Sequence, residues 1–296
     1  MKKIALILVV LMVASLALVG CGGKQQTNEQ TNNNQNSDID FSKLIQARGS
    51  DTMVNLGQMW AEEFMDKYPE AQLAVTGGGS GTGIAAMING TIDIALSSRS
   101  IKEKEVADAK ANGIEPVEFV TGRDGIAIAV SKDNPVQELS MDDLKAIFTG
   151  EKTNWKDFGG EDAPITLYSR ESNSGTYAFF KEFVLKDEEY ATHSNLMPST
   201  QAIVEAIKQD KNGIGYIGLA YLNDPAIVGV PVKKDEGSTA YKPSLETIQA
   251  GQYPVARPLF LYTNGQPEGA IKAFMDFVMG AEGQKIVQEI GFIPAK

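Results

Sequence analysis

Short apolar runs and amphipathic stretches alternate along most of this chain, from about Phe41 to Lys296. A short apolar run is typical of a buried strand, whereas apolar side chains three and four positions apart indicate one face of a helix. Their alternation favours an α/β fold with largely parallel sheets. The pattern predicts strands at Leu73–Thr76, Gly125–Ser131, Ile165–Ser169, Gly213–Leu219 and Pro258–Thr263. It predicts helices at Met53–Tyr68, Glu103–Asn112, Met141–Phe148, Tyr177–Lys186, Thr200–Asp210 and Gly269–Met279.

One local design occurs three times in this alternation: a strand, a loop of small hydroxylated residues, and an amphipathic helix that begins at once. The first loop is Gly49-Ser50-Asp51-Thr52. The second is the glycine-rich segment 76–83, with the sequence TGGGSGTG. The third is segment 170–176, with the sequence RESNSGT. The repetition indicates that the three loops share a role.

Each loop is a candidate anion site, because the start of a helix presents unpaired N–H groups and a partial positive charge. Hydroxyl groups add donors, and glycine lets the main chain approach a ligand closely. Any single loop is equally well explained by Ser, Asp or Thr capping its helix. Three loops together, with Arg170 four residues before Ser174, favour one shared tetrahedral oxyanion, which a guanidinium fork suits.

The N-terminus predicts export and a lipid anchor. Lys2 and Lys3 precede an apolar run that is too short to span a bilayer comfortably, and the run ends in Leu18-Val19-Gly20-Cys21. This ending matches the bacterial lipoprotein signal, with an ordinary free cysteine near an uncleaved anchor as the alternative. We therefore expect residues 1–20 to be a signal peptide and Cys21 to carry the lipid, palmitate included. The polar segment 21–38 is expected to be a flexible tether that holds the protein at the outer face of the cell membrane.

The overall charge restricts the partners. The chain has 27 basic and 38 acidic residues, and removal of the signal with Lys2 and Lys3 leaves a net charge of −13. Nucleic acid is therefore not an expected partner, because its binding needs a basic surface. Any bound anion must be held by local dipoles and a few placed cations.

Residue counts also limit enzymatic chemistry. His193 is the only histidine and Cys21 the only cysteine, so a Ser-His-Asp triad, a metal cluster or a disulfide is not expected. The spacing Gly81-x-Gly83-x-x-Ala86 formally fits a dinucleotide fingerprint, but the next acidic residue, Asp93, comes at about half the required distance. We predict no catalytic residues, no metal and no cofactor.

Five segments, taken together and in order, carry a family resemblance. They are Gly49–Thr52, Gly78–Gly83, Asp93–Arg99, Leu144–Gly150 with Asn154-Trp155, and Arg170–Thr176. Over nearly its whole mature length the chain resembles the substrate-binding proteins of phosphate ABC importers, the PstS-like family. The resemblance implies a type II periplasmic-binding-protein fold, an α/β fold in which two lobes joined by a two-strand hinge close on a ligand in the cleft between them.

The resemblance also implies a set of ligand contacts. The matching positions in this sequence are Ser50, Thr52, Met53 through its N–H, Ser80, Ser98, Arg170, Ser174, Gly175 and Thr176. Many family members have an Asp where this chain has Ser98, and that carboxylate accepts the proton of the bound phosphate. The acceptor here is therefore left open between Asp51, Glu171 and Asp124. The family also often has an acidic partner for the binding Arg where this chain has Ser172.

These observations together predict a monomeric, extracytoplasmic solute-binding protein. It would capture inorganic phosphate and deliver it to the membrane subunits of an ABC importer, touching the membrane only through its lipid. Lobe one is expected at 39–120 and 257–296, and lobe two at 121–256. The alternatives are a binding protein for another tetrahedral oxyanion, a phosphoryl-transfer hydrolase, and a structural lipoprotein.

Overall fold

The structure, a computed structural model, describes residues 39–295. The predicted signal peptide, the tether and Cys21 lie outside the described residues. Residues 39–295 contain helices α1 to α9 and strands β1 to β12. The helices are α1 Val54–Lys67, α2 Ser80–Ile88, α3 Glu103–Ala111, α4 Met141–Thr149, α5 Gly175–Phe183, α6 Thr200–Gln209, α7 Leu245–Gln249, α8 Gly269–Met279 and α9 Ala281–Ile290. The strands are β1 Ile45–Gly49, β2 Leu73–Thr76, β3 Ile94–Ser97, β4 Pro116–Ser131, β5 Leu139–Ser140, β6 Thr166–Arg170, β7 Asn195–Met197, β8 Gly213–Gly218, β9 Ile227–Gly229, β10 Val232–Lys233, β11 Ala256–Asn264 and β12 Ile293–Pro294.

Eight of these strands form one long mixed sheet in the order β2-β1-β3-β11-β4-β8-β6-β7, and β9 and β12 also pair with β4. Strands β5 and β10 form a separate two-stranded sheet. Strands β1, β2 and β3 are parallel to one another, as are β6, β7 and β8. The strands between these two groups, β11 and β4, are antiparallel to their neighbours. The sheet is therefore mixed rather than largely parallel, because the strands at its centre connect two parallel groups that belong to different lobes.

Two hydrophobic clusters correspond to the two lobes. One contains Trp60 and Phe64 of α1 together with Phe274 of α8, all packed beside the β1-β3-β11 half of the sheet. The other contains Phe148 and Phe180, which pack with Tyr216 of β8 beside the other half. Burial of aromatic side chains of this size is a dominant contribution to the stability of each cluster.

Strand β4 belongs to both halves of the sheet. Its first part, up to Gly125, pairs with β11, and its second part, from Ile126, pairs with β8. Strand β11 begins opposite this change of partner, where Ala256 is paired with Gly125. The chain therefore passes between the lobes along β4 and returns at the start of β11, as a two-strand hinge requires.

The periodicity predicted most of these elements well. Strand β2 and helix α8 have the predicted bounds, and the other predicted helices shift by one to three residues at an end. Helix α5 starts two residues earlier than the apolar pattern predicts, at Gly175, because Ser174 is its cap. Strand β4 continues nine residues upstream of the predicted strand, through a segment that mixes exposed, half-buried and buried positions.

Candidate anion-binding site

The three hydroxyl-rich loops lie at the carboxyl ends of strands. Ser50–Met53 follows β1, Gly77–Gly79 follows β2, and Glu171–Ser174 follows β6. A fourth segment, Ser98 with Arg99, follows β3. The carboxyl ends of parallel strands are where open α/β sheets bind ligands. The sequence therefore places hydroxyl groups and helix starts from both lobes at the edge that faces the cleft.

Three buried serines form a hydrogen-bonded cluster in the first lobe. The Ser50 hydroxyl donates to Ser98 Oγ at 2.9 Å, and the Ser80 and Ser98 hydroxyl oxygens are 3.3 Å apart. The Ser98 N–H donates to Ser80 Oγ at 3.0 Å. All three side chains are almost completely buried. Their hydroxyls can act as donors or acceptors, so the cluster can turn its donors towards a bound anion.

Two threonines meet across the cleft. Thr52 Oγ1 of the first lobe and Thr176 Oγ1 of helix α5 are 3.0 Å apart, and both side chains are buried. Arg257 Nη2 donates to Thr176 Oγ1 at 2.9 Å and lies 3.2 Å from Thr52 Oγ1. A guanidinium group is therefore part of the same polar cluster as the two hydroxyls.

Gly175 lies where the start of α5 reaches the serine cluster. A Cβ added there would lie 2.3 Å from Ser80 Oγ and 2.8 Å from Ser98 Oγ, so no side chain fits. The loops also touch through their main chains, since the Gly81 N–H donates to the Asn173 carbonyl at 2.9 Å. The Asn173 side-chain amide donates to the Gly78 carbonyl at 3.0 Å. The helix starts of the two lobes thus form one common site.

Two of the predicted contacts are used locally. Ser174 Oγ accepts from the N–H groups of Thr176 and Tyr177, at 3.2 and 3.3 Å, and so caps α5. The Met53 N–H donates to the Ser50 carbonyl at 3.0 Å. The Ser174 hydroxyl hydrogen stays available to a ligand, because a cap uses only the oxygen as acceptor. The Met53 N–H would have to exchange its partner.

Arg170 joins all three loops through Asp51. Its Nη2 donates to Asp51 Oδ2 at 2.5 Å, and Asp51 Oδ1 accepts from the Gly78 N–H at 2.9 Å. Arg170 also donates to the carbonyls of Met197 and Pro198 and to the Thr200 hydroxyl. Four of the five guanidinium N–H groups are therefore used within the protein. Asp51, and not the position of Ser172, supplies the acidic partner of this arginine.

The sequence reasoning missed Arg257. This residue is the second position of β11 and is paired in register with Asp124 of β4. Its side chain is 1 % exposed, and Nη2 lies 3.1 Å from Asp124 Oδ2. The available signal was an arginine directly before the predicted strand Pro258–Thr263, because a charged side chain that the strand draws into the interior is rarely buried without a partner.

The three candidate proton acceptors lie in different environments. Glu171 is exposed, and Asp51 is held by Arg170 and Gly78. Asp124 is buried at the strand crossing, where burial raises its pKa to about 6 although the neighbouring Arg257 lowers it. Its oxygens accept from the Leu219 N–H at 3.2 Å and from Arg257. Of the three carboxylates, Asp124 is therefore the one that can gain or lose a proton near neutral pH. It lies next to the hydroxyl cluster, to which Arg257 connects it.

Three further features of the described residues concern metals, membranes and the dinucleotide match. Residues 39–295 contain no group of three or more His, Cys, Asp and Glu side chains arranged to hold a metal ion. No helix in this range is long and apolar enough to cross a bilayer. Gly83 of the formal dinucleotide match lies inside α2, where an added Cβ would be 2.4 Å from the Arg48 carbonyl oxygen. That glycine therefore permits close packing of α2 on β1.

Comparison with known proteins identifies relatives over almost the whole chain. Residues 24–282 match the family model of the PBP superfamily domain. The phosphate-binding protein PstS of Bacillus subtilis is 33 % identical over 296 residues, which are 99 % of this chain and 95 % of that protein. The protein of the same name from Pseudomonas aeruginosa is 34 % identical over 263 residues, 83 % of this chain and 81 % of that protein.

Solved structures agree with the sequence relatives. A phosphate ABC transporter substrate-binding protein from Clostridium perfringens, with bound phosphate, has a TM-score of 0.77 and 33 % identity over 86 % of this chain and 100 % of that one. An ABC-type phosphate transport receptor from Vibrio cholerae has a TM-score of 0.69 and 27 % identity over 85 % of this chain and 100 % of that one. These matches confirm the α/β, two-lobed periplasmic-binding-protein fold. The chain belongs to the PBP superfamily and, within it, to the PstS-like family of solute-binding proteins.

Proposed function

We propose that this protein captures inorganic phosphate between its two lobes and delivers it to the membrane subunits of an ABC importer. The observation that carries the proposal is the convergence of helix starts and hydroxyls from both lobes on one buried cluster, joined by the 3.0 Å contact between Thr52 and Thr176. Dipoles of this kind stabilise a dehydrated oxyanion without a basic surface. The relatives named for phosphate binding support phosphate as that anion.

In this proposal the ligand contacts come from both lobes. Hydroxyl groups of buried serines and threonines donate to the phosphate oxygens, together with N–H groups at the starts of α1 and α5. Arg170 orders the loops through Asp51 and has one further guanidinium N–H for the anion. The proposed contacts are Ser50, Thr52, Met53, Ser80, Ser98, Arg170, Ser174, Gly175 and Thr176.

We further propose that the protein binds phosphate without chemical turnover. A phosphoryl-transfer enzyme needs an activated nucleophile or a metal ion, and the hydroxyls here are paired with each other and with Arg257 rather than with a general base. Steady release of phosphate from a phosphate ester by the purified chain would contradict this part of the proposal.

Calorimetric titration of the purified full-length chain tests the ligand. Inorganic phosphate should bind tightly with a stoichiometry of one, and sulfate and molybdate should bind more weakly. Tighter binding of either competitor would replace phosphate by another tetrahedral oxyanion. Absence of binding for all three anions would contradict an oxyanion function altogether.

The N-terminal part of the proposal concerns location. Residues 1–20 act as the export signal and Cys21 carries the lipid, so the folded residues are held outside the cytoplasm as a monomer on the tether 21–38. Cys21→Ser should release the protein from the membrane fraction and abolish its labelling by palmitate. We place the lobe boundaries at residues 120/121 and 256/257, and limited proteolysis of the protein with and without phosphate tests whether cleavage near them is ligand-dependent.

A further inference from the structure

Unpaired buried polar atoms are concentrated at one residue of the site. Within residues 39–295, three buried side-chain nitrogen or oxygen atoms have no hydrogen-bond partner, and two of them are Nε and Nη1 of Arg257. These two atoms carry three of the five N–H groups of the guanidinium. A buried donor without an acceptor is unfavourable, because it has lost its hydration without gaining a hydrogen bond, and the cost is larger when the group is charged. The arrangement therefore calls for an acceptor that the chain itself does not supply.

The third nitrogen fixes where this guanidinium lies. Nη2 is within 3.2 Å of one oxygen each of Thr52, Thr176 and Asp124. Those residues come from the first loop, from the start of α5 and from the part of β4 where the chain passes between the lobes. The unpaired N–H edge thus belongs to a group that already sits between the two lobes, inside the hydroxyl cluster proposed to hold the anion.

Arg257 also lies beside an aromatic ring. Its Cζ lies 5.7 Å from the centre of the Phe179 ring, in the range of a cation–π contact. Arg257 and Phe179 line one surface pocket, whose other lining residues include Glu103 and Glu182. An aromatic face stabilises the charge and restricts the side chain, but it supplies no oxygen acceptor for Nε and Nη1.

Arg170 differs in this respect. Four of its five N–H groups have protein acceptors, and its charge is opposed by Asp51 at 2.5 Å. Arg257 has three N–H groups without an acceptor, and its contact to Asp124 is longer, at 3.1 Å. Of the two guanidinium groups, Arg257 therefore has more N–H groups available to a ligand.

We propose that Arg257 is an anion-contacting residue of this site and supplies the principal guanidinium contact to the bound oxyanion. The inference rests on the proposed oxyanion function and adds to it a ligand residue outside the three loops. An anion among these hydroxyls brings the acceptors that Nε and Nη1 lack. Because Arg257 is the second residue of β11, the strand by which the chain returns between the lobes, it connects the anion to the point where the chain passes between them.

Titration of the full-length Arg257→Gln variant with inorganic phosphate tests this assignment. Removal of the charge and of the donor fork should weaken binding at least 100-fold. Arg257→Lys keeps the charge but loses the fork, so its affinity should be intermediate, at least tenfold below wild type. Arg123→Gln is the matched control, because Arg123 is exposed on β4 and is the neighbour of Asp124 in the sequence. It removes the same charge, and its phosphate affinity should stay within twofold of wild type.

The outcomes separate this assignment from the proposed function. Tight phosphate binding by wild type with an affinity within threefold in Arg257→Gln overturns the role of Arg257 and leaves the function standing. Absence of phosphate binding by wild type overturns the function and the assignment together. Circular dichroism and thermal melting without phosphate check that each variant is folded.

A measurement on the wild-type chain decides the question if the variants do not fold. The chain has five arginines, so the Nε–H spectrum of protein labelled with ¹⁵N-arginine contains few resonances. On titration with phosphate, the Arg257 resonance should shift with a stoichiometry of one, and more than the Arg170 resonance. A stationary Arg257 resonance in phosphate-saturated protein overturns the assignment.

Discussion

Arg170 and Arg257 lie in the same cleft but differ in how many of their N–H groups have a hydrogen-bond acceptor. Each is 1 % exposed and each lies beside an aspartate. Arg170 donates to a carboxylate, two main-chain carbonyls and a hydroxyl, whereas Arg257 shares one nitrogen among three acceptors and leaves two nitrogens unpaired. Two equally buried arginines can therefore have different roles: one that uses most of its N–H groups within the protein holds the loops together, and one that keeps three N–H groups unpaired is available to a ligand.

The strongest test of this contrast removes the paired arginine. Arg170→Ala should lower the free energy of unfolding by roughly 3 kcal/mol and remove most of the phosphate affinity, because it leaves the Asp51 carboxylate, which is only 12 % exposed, without its cation. Urea unfolding and calorimetric titration measure the two effects. Near-wild-type phosphate affinity in this variant would contradict the proposed site.

A double-mutant cycle sharpens the same test. If Arg170 acts mainly through Asp51, the double variant Arg170→Gln/Asp51→Asn should lose less free energy of unfolding than the sum of the losses in the two single variants. The reason is that the double variant no longer contains an unpaired carboxylate. If the two losses of free energy of unfolding simply add, Arg170 and Asp51 do not interact, and the contact between them does not stabilise the loops.

The pH dependence of stability tests the environment of Asp124, the carboxylate beside Arg257. Burial raises the folded pKa of Asp124 to about 6 from an ordinary value of 3.8, so folding disfavours the ionised carboxylate. The free energy of unfolding lost through the ionised Asp124 is therefore largest above about pH 6, and this loss disappears as the pH falls towards 3.8. The stability of wild type relative to Asp124→Asn should therefore rise by about 2 kcal/mol from pH 7 to pH 4.5. A pH-independent difference in urea unfolding would contradict the raised pKa.

A smaller effect is expected for one hydroxyl at the junction of the lobes. Thr176→Val removes an acceptor of Arg257 and the contact to Thr52 while keeping the shape of the side chain. Loss of one hydrogen bond to a charged group should weaken phosphate binding about tenfold. Thr121→Val is the control, because Thr121 is equally buried but donates to the Leu259 carbonyl instead. Equal losses in the two variants would remove Thr176 from the site.

The smallest effect is expected for the exposed carboxylate of the third loop. Glu171→Gln should leave phosphate affinity and its pH dependence unchanged within twofold, because an exposed charge is well screened by solvent. A shifted pH profile of phosphate binding, measured by calorimetry between pH 5 and pH 8, would make Glu171 the acceptor of the ligand proton and exclude Asp124 from that role.

Local patterns explain why the fold and the loops were predictable. Helical spacing from Met53 to Phe64 and the capping Ser174 act within a few residues, so the sequence itself contains the information. The loops could also be grouped, because similar strand ends and helix starts repeat along the chain. The family resemblance supplied the two-lobed fold, which periodicity alone does not specify.

Long-range pairing explains what the sequence did not reveal. Asp51 and Arg170 are 119 residues apart, and Asp124 and Arg257 are 133 apart, so no local pattern assigns either carboxylate to its arginine. Arg257 precedes a proline at the edge of an apolar run and belongs to none of the repeated loops. Its importance depends on atoms without partners, which only the folded arrangement defines.

The hydrogen bond from the Gly81 N–H to the Asn173 carbonyl joins the two lobes through main-chain atoms alone. Truncation of the Asn173 side chain leaves both of those atoms in place, whereas an alanine at Gly81 would put a Cβ 3.1 Å from the Asn173 carbonyl oxygen. An alanine scan therefore either misses this hydrogen bond or adds a steric effect to it. Only a change in the backbone itself, such as an ester linkage in place of the amide at Gly81, would reveal its strength.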